Sequence, residues 1–150
     1  GQAQGLGDRL GVLLVQLPPS LRFAPEVAEG FFAMLRGKTM VGIACEPRHA
    51  SWFGTEADAL LASHQIARVA ADPARHEGAG QPGGWPGLAY FRLHGVPRIY
   101  YSDYGDERLR EIRQRMAACH EAGAKVWCIF DNTAEGHALG NALTLDGAAP

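Results

Sequence analysis

The chain has 150 residues, of which 47% are hydrophobic and 20% are charged, and its formal net charge is −2. This length and composition are typical of one globular domain with a sizeable core. They exclude a protein that attracts nucleic acid through an overall basic field. No apolar run approaches the roughly 18 residues of a membrane span, so we expect no membrane partner.

The cysteines and the first residues bear on compartment and domain organisation. Cys45, Cys119 and Cys128 form no C-x-x-C pair, and two of them lie in apolar runs. We therefore expect buried, reduced thiols and a cytoplasmic protein. Residues 1–9 have neither the basic start nor the apolar centre of a signal peptide. They are predicted to be a flexible segment of a single domain over residues 1–150.

The chain begins with an apolar strand, a helix and a second strand. Leu10–Leu17 predicts the first strand, which ends at Pro18–Pro19 because proline cannot continue a β-ladder. Residues 25–37 predict a helix, since Pro25 suits a first helical turn and a glycine ends the segment. Val41–Cys45 predicts the second strand.

A second helix and a third strand follow, and then a long loop. Thr55 is the predicted N-cap of a helix over residues 55–64, with Asp58 placed as in a weak capping box. Ile66–Ala71 predicts the third strand. Residues 73–87 are so rich in glycine and proline that they predict a loop without a helix.

The last part of the chain resumes the alternation. Leu88–Leu93 predicts a strand, residues 106–123 a long amphipathic helix, Lys125–Phe130 another strand, and residues 133–145 a final helix. Apolar strands alternating with amphipathic helices are typical of a parallel sheet covered by helices. The predicted class is therefore α/β.

Polar side chains collect where these strands end. The residues in or just after the last part of a predicted strand are Gln16, Glu46, Arg48, His49, Asp72, Arg92, His94, Asp131 and Asn132. In parallel α/β folds the carboxyl ends of the strands form the edge at which ligands bind. The sequence therefore predicts a polar site at this edge.

Two of these strand ends carry the same alternation. Glu46 and Arg48 are two residues apart, as are Arg92 and His94, so each pair shares one face of an extended strand. Such charges are costly to bury unless they pair. They form either a functional site or a set of ion pairs that only fills the end of the sheet. Repetition at several strand ends favours the site.

Several motifs together resemble one known family. They are "LVQLPPSLRF", "CEPRHASWF", the strand-end Asp72, "YFRLHG", "YYSDY" and "FDNTAEGHALGNAL", in this order. The chain is similar to the YecE-like family, known as domain of unknown function 72. That resemblance implies a TIM-barrel-like (β/α) fold, for which roughly 250 residues are typical. This chain would then be its C-terminal part, an incomplete barrel whose five strands correspond to strands four to eight.

The resemblance also implies a set of site residues. The family's polar motif positions fall on Gln16, Glu46, Arg48, His49, Asp72, Arg92, His94, Tyr101, Asn132 and Asn141. Asp131 departs from the pattern, because the family more often has asparagine there. This departure adds a negative charge to the edge.

Two functions fit these residues. In an enzyme, the catalytic residues would be Glu46 and His94, as acid and base, and Asp72, which with Asn132 would orient the substrate. The substrate-binding residues would be Gln16, Arg48, His49, Arg92, Tyr101, Asn132 and Asn141. Arg48 and Arg92 would then clamp an anionic group such as a phosphate, a carboxylate or a nucleic-acid end. Hydrolase, lyase and isomerase reactions all remain open.

The alternative is a non-catalytic module. Its arginines would position phosphates, while Tyr100, Tyr101 and Tyr104 would stack on bases. The cofactor is unknown. A divalent metal held by Glu46, Asp72 and a histidine is possible, but no ligand spacing supports it. Open sheet edges predict that the chain alone associates with itself and is inactive.

Overall fold

The computed structural model describes residues 2–147, so Gly1 and residues 148–150 of the predicted domain lie outside the described residues. The strands are β1 Val12–Gln16, β2 Gly42–Glu46, β3 Ile66–Arg68, β4 Ala70–Asp72, β5 Gly83–Gly84, β6 Leu88–Leu93 and β7 Lys125–Phe130. The α-helices are α1 Pro25–Arg36, α2 Thr55–Ser63, α3 Asp106–Glu121 and α4 His137–Asp146. Short 3-10 helices cover Gln2–Arg9, which is kinked at Gly7, and Ala50–Trp52.

The strands form parallel sheets, as the alternation of strands and helices predicts. In one sheet β1 pairs with β2 and β2 with β3, and in the other β4 pairs with β6 and β6 with β7, all in parallel. The predicted third strand is divided between the two sheets at Val69. The amide of Val69 donates to the Cys45 carbonyl at 2.9 Å, which links the sheets. The order along the linked sheets follows the order of the strands in the chain, apart from the short β5.

The two faces of the sheets bury different residues. The inner face, away from the helices, packs one apolar cluster: Val12, Leu14, Ala44, Ala67, Val69, Leu88, Tyr90, Trp127 and Ile129. The outer face carries the intervening residues, such as Ile43, Cys45 and Phe91, which pack beneath the helices. Because side chains alternate along a strand, this pattern assigns every strand-end residue to one face.

Two predictions of local structure are wrong in detail. The N-cap of α2 is Gly54 rather than Thr55, and no side chain caps this helix. Asp58 instead binds the Arg68 guanidinium, with 2.7 Å between Oδ1 and Nε, so the capping box does not form. The predicted loop 73–87 contains β5, which pairs antiparallel with β3. The Gly84 amide of β5 donates a hydrogen bond to Asp58 Oδ1.

The sheets do not close on themselves within residues 2–147. There, β1 pairs only with β2 and β7 only with β6. The two ends nevertheless approach each other across the inner face. A Cβ at Gly11, just before β1, would lie 2.6 Å from the Trp127 ring of β7, so only glycine fits. None of the helices in this part of the chain is long and apolar enough to cross a membrane.

Candidate functional site

The inner face changes from apolar to charged at the carboxyl ends of its strands. Continuing the alternation from Ala44, Tyr90 and Ile129 leads to Glu46, Arg92 and Asp131 on the same face, and His94 follows Arg92 by two residues. We call Glu46, Arg92, His94 and Asp131 the charged cluster. The parity of each strand therefore brings these four side chains together.

Arg92 lies at the centre of the charged cluster. Its Nη1 donates to Glu46 Oε2 and its Nη2 donates to Asp131 Oδ2. Burial acts to lower the Arg92 pKa, but the bonds to Glu46 and Asp131 outweigh it and raise that pKa. Both terminal nitrogens are engaged, so Arg92 joins two carboxylates within the protein.

Glu46 is buried, with 4% of its surface exposed, and it is held as a carboxylate. Burial acts to raise its pKa. The nearby His94 ring, the hydrogen bond and charge of Arg92 and the charge of Arg48 together outweigh burial, and the Glu46 pKa falls below its usual value. A buried carboxylate that stays ionised can accept a proton or stabilise a cation.

His94 lies between the two carboxylates. Its Nε2 is 3.8 Å from Glu46 Oε1, a separation that leaves room for a small shift or a bridging water. Its Nδ1 is 3.1 Å from Asp131 Oδ2, at an angle that does not satisfy a hydrogen bond. The imidazole is 7% exposed. This arrangement lets one carboxylate orient the ring while the other nitrogen exchanges a proton.

Arg48 and Gln16 lie beside the charged cluster, towards solvent. Arg48 Nη2 is 3.4 Å from Glu46 Oε1. With the Gln16 amide turned so that its oxygen faces the guanidinium, that oxygen accepts from Arg48 Nε at 3.1 Å. Two arginines therefore face two carboxylates, and these four charges balance.

A pocket opens beside the charged cluster and includes loop residues that the strand-end pattern does not predict. Glu46, Arg48 and His94 line one side of it. Arg75 and His76, from the loop after β4, and Tyr100, from the loop after β6, line the rest of its polar surface. The space not filled by protein atoms is about 510 Å³, part of it open to solvent. Loop residues like these follow no periodic pattern, so the sequence carries no signal for them.

Tyr100 has an unusual backbone conformation at the pocket. Its φ is 72°, in the left-handed region that side-chain-bearing residues rarely adopt. Its ring meets the His94 ring edge-on, with centroids 5.9 Å apart. Strained residues of this kind concentrate at functional sites. The sequence suggests Tyr100 as a base-stacking residue, whereas in the structure its ring forms the pocket wall beside His94.

Asp72, predicted as catalytic, lies on the other face of its strand. Its Oδ1 accepts from Arg108 Nη2 of α3 at 2.6 Å, and its main-chain oxygen accepts from the Tyr104 hydroxyl at 3.3 Å. The neighbouring Ala71 faces the pocket instead. Asp72 therefore fastens α3 and its preceding loop to the sheet rather than joining the charged cluster.

His49 and Tyr101, both predicted to bind substrate, also lie outside the charged cluster. His49 Nδ1 accepts from the Ser51 amide at 3.1 Å, which caps the short 3-10 helix that follows. The Tyr101 ring is covered by the Arg98 guanidinium, 3.6 Å from the ring centroid. Neither side chain contacts Glu46 or His94 among the contacts of the described residues.

Asn132 and Asn141 form a buried amide pair on the outer face. Asn132 Nδ2 donates to Asn141 Oδ1 at 2.7 Å and to the Ser102 carbonyl at 3.0 Å. Asn141 Nδ2 donates to Asp103 Oδ1 at 2.7 Å, and its Oδ1 also accepts from the Tyr104 amide at 3.3 Å. These bonds tie the start of α4 to the loop after β6, so the structure gives both residues a role in building the wall behind Tyr100.

The proposed metal ligands do not meet. Glu46 lies on the inner face and Asp72 on the outer face of the sheets. Among residues 2–147, no group of three or more histidine, cysteine, aspartate or glutamate side chains could hold a metal ion.

The family comparison follows from the whole chain rather than from the pocket alone. Residues 1–149 match the family described as protein of unknown function DUF72. The chain belongs to this family. None of the curated proteins matches it.

Two solved structures of the family resemble the chain. A DUF72 family protein from Thermotoga maritima shares 26% identity over 91% of this chain, with a TM-score of 0.74. One from Enterococcus faecalis shares 21% identity over 91% of the chain, also with a TM-score of 0.74, which supports the fold alone. The chain spans 56% and 59% of the lengths of these relatives.

Proposed function

We propose that this DUF72 chain carries the acid/base site of an enzyme that acts on an anionic substrate. The observation that carries the proposal is the placement of His94 between two carboxylates at a pocket, with Glu46 Oε1 3.8 Å from Nε2 and Asp131 Oδ2 3.1 Å from Nδ1. Buried titratable groups whose surroundings shift their pKa values, as for Glu46, are typical of catalytic sites.

The residues divide the work as follows. Glu46, held as a carboxylate, is the base, and His94 Nε2 is the group that passes a proton to or from substrate in the pocket. Arg92 is a positioning residue, since its terminal nitrogens already bind Glu46 and Asp131. Of the two arginines expected to clamp an anionic group, Arg48 lines the pocket and Arg92 does not, so we assign the clamp to Arg48.

The test is turnover of a panel of phosphorylated and carboxylated small molecules by an enzyme that contains this chain, with divalent metals added and removed. An enzyme of this kind should show a pH profile with one essential acid and one essential base. Glu46→Gln and His94→Asn should each lower kcat at least a hundredfold, as loss of an acid/base group does. His120→Asn, on the exposed part of α3, is the matched control. Equal activity of Glu46→Gln and the control would refute the assignment.

A non-catalytic module for phosphate or nucleic-acid ends is the second candidate. The stacking of Arg98 on Tyr101 favours it, because both side chains are exposed near the pocket. Binding through phosphates weakens steeply as salt rises. Binding that falls with ionic strength, without turnover of any substrate, would select this candidate.

We also propose that the sheets belong to a TIM-barrel-like (β/α) fold, with these strands as four to eight. The sequential parallel order of the strands and the 56% coverage of a longer relative support this proposal. A cytoplasmic location is proposed as well, supported by the free thiol of the fully buried Cys45.

A further inference from the structure

The pocket has an apolar lining next to its charged side. Val69, Ala71 and Ala79 line it with small side chains, and Phe53 and Ile99 line it with larger ones. Val69 and Ala79 are 2% and 4% exposed, so part of this lining is dry core rather than open surface. Covering such an apolar surface with an apolar group of a ligand favours binding, whereas a bare inorganic anion gains no binding free energy from it.

The cations at the pocket are not equivalent. Arg92 is absent from the lining and is bonded to two carboxylates. Arg48 lines the pocket but also faces Glu46 at 3.4 Å. Arg75 lines the pocket, is exposed, and takes part in no ion pair or hydrogen bond recorded among residues 2–147. A ligand anion that enters the pocket therefore meets Arg75 with its donors available.

The loop that carries Arg75 is held in place by the protein. Arg68, only 4% exposed, donates from Nη1 to the Gly78 carbonyl at 3.0 Å while its Nε binds Asp58. The Ala71 amide donates to the Ala79 carbonyl at 2.9 Å. Because the loop is fastened to the sheet at both points, the pocket wall is formed before any ligand arrives, and binding does not require that wall to be ordered.

We propose that the pocket binds a small organic anion with an apolar body about the size of one ring, and that Arg75 is the residue that selects its phosphate or carboxylate group. The apolar body lies on Val69, Ala71 and Ala79. Its anionic end faces Arg75, assisted by Arg48, and its reacting end faces Glu46 and His94. This assignment rests on the proposed site but not on the chemistry that the site performs.

The proposal distinguishes a small amphipathic anion from a polymer. A nucleic-acid strand is held by a row of cations that follows its backbone. Here the net charge is −2, and the one arginine of the charged cluster, Arg92, is already bonded to two carboxylates. One or two arginines at the mouth of an apolar pocket match one terminal anion. Binding should therefore need the apolar body as much as the charge.

The experiment measures binding of phenyl phosphate, benzoate and inorganic phosphate to the 150-residue chain by NMR titration. We expect phenyl phosphate or benzoate to bind at least tenfold more tightly than inorganic phosphate, with shifts in the Ala71 and Ala79 amides. Arg75→Gln should weaken that binding about tenfold, in the range of one charge-assisted contact. Arg110→Gln, an exposed arginine of α3 outside the pocket lining, is the matched control and should leave it unchanged.

A second variant tests the apolar body. Ile99→Ala should weaken phenyl phosphate binding and leave inorganic phosphate unaffected. Inorganic phosphate binding as tightly as phenyl phosphate, an equal loss in the Arg75 and Arg110 variants, or no shift at Ala71 and Ala79 would each overturn the proposal. Binding as expected without turnover of any substrate would keep the ligand class and refute only the enzymatic role. Turnover of substrates that lack an apolar body would keep the enzymatic role and refute the ligand class.

Discussion

Replacing Arg92 by leucine tests whether the charged cluster is held together by this one cation. The variant keeps the length of the side chain's apolar stem but leaves Glu46 and Asp131 without their shared partner. The Arg92 side chain is 14% exposed and that of Glu46 is 6% exposed, so water can solvate the freed carboxylate only in part.

The expected loss is large because a buried charge becomes unpaired. Removing one partner of a buried ion pair costs about 3–5 kcal/mol, a substantial part of the 5–15 kcal/mol that stabilises a typical domain. For a domain of this size the midpoint of thermal unfolding should fall by about 6–20 °C. Arg110→Leu is the control, because Arg110 is exposed and its Nε donates to the Asp106 carbonyl at 3.3 Å rather than to a carboxylate.

The loss should also depend on pH, with a sign fixed by Glu46. In the native chain the Glu46 pKa is lowered, so its contribution to stability is present above the unfolded value of about 4.3 and is lost as pH falls through the lower folded value. Without Arg92, less opposes the effect of burial, and the Glu46 pKa rises. Each unit by which the Glu46 pKa of the variant then exceeds the unfolded value of about 4.3 narrows the stability gap between native and variant chains by about 1.4 kcal/mol on going from pH 7 to pH 4.

Urea unfolding followed by circular dichroism at pH 7 and pH 4 measures both effects. The Arg92→Leu variant should lose several kcal/mol at pH 7 and clearly less at pH 4, while Arg110→Leu should change by no more than about 0.5 kcal/mol at either pH. A loss at pH 7 below about 1 kcal/mol, or one that is the same at both pH values, would refute the role given to Arg92.

Three further results are expected. Tyr100→Gly should not lower the free energy of unfolding, because relief of the left-handed strain, worth about 1–2 kcal/mol, offsets the lost edge contact with His94. Gln65→Gly is the control, because Gln65 has φ 54° and is not part of the pocket lining, and its free energy of unfolding should increase. A decrease in the free energy of unfolding above about 1 kcal/mol in Tyr100→Gly would contradict the strain argument. Burial, followed by the charge of Glu46, raises the pKa of the Cys45 thiol to about 12, so a thiol reagent at pH 8 should label Cys45 only in urea; fast labelling in the native chain would contradict this. The unpaired edges of β1 and β7 should make the isolated chain associate with rising concentration in sedimentation, and a monodisperse monomer would contradict that.

Side-chain parity, and not position along the strand alone, decides which strand-end residues meet. Glu46 shares the parity of Ala44, whereas Asp72 has the parity opposite to that of Val69 and Ala71. Because both faces of these strands are apolar, the sequence does not show which parity faces inward, and the cluster that contains Ala44 and Val69 settles it. Strand-end position alone groups Glu46 with Asp72, because it records where a residue lies along the strand and ignores which way it points.

The loops show where sequence reasoning ends. Arg75, His76 and Tyr100 reach the pocket because long-range bonds fold their loops back on the sheet. No periodic pattern predicts how these loops fold, because their position depends on single residues such as Arg68. In the sequence Arg68 is one arginine within an apolar strand, and in the structure it is 4% exposed. Sequence patterns predict regular elements well because their contacts are local or repeat with a fixed period. They miss these loops because the deciding contacts are neither.

Charge explains why the same site divides into a holding part and a binding part. Both terminal nitrogens of Arg92 donate to carboxylates, one to Glu46 and one to Asp131, so this cation is already paired within the protein. With asparagine at position 131, Arg92 would keep one carboxylate partner, and Arg48 and Arg92 would face a single carboxylate with one surplus positive charge. Asp131 supplies the second carboxylate and faces His94 Nδ1 at 3.1 Å. Because Arg92 is paired within the charged cluster, the proposed anion recognition falls to Arg48 and Arg75 at the pocket, while the inner charges lower the Glu46 pKa.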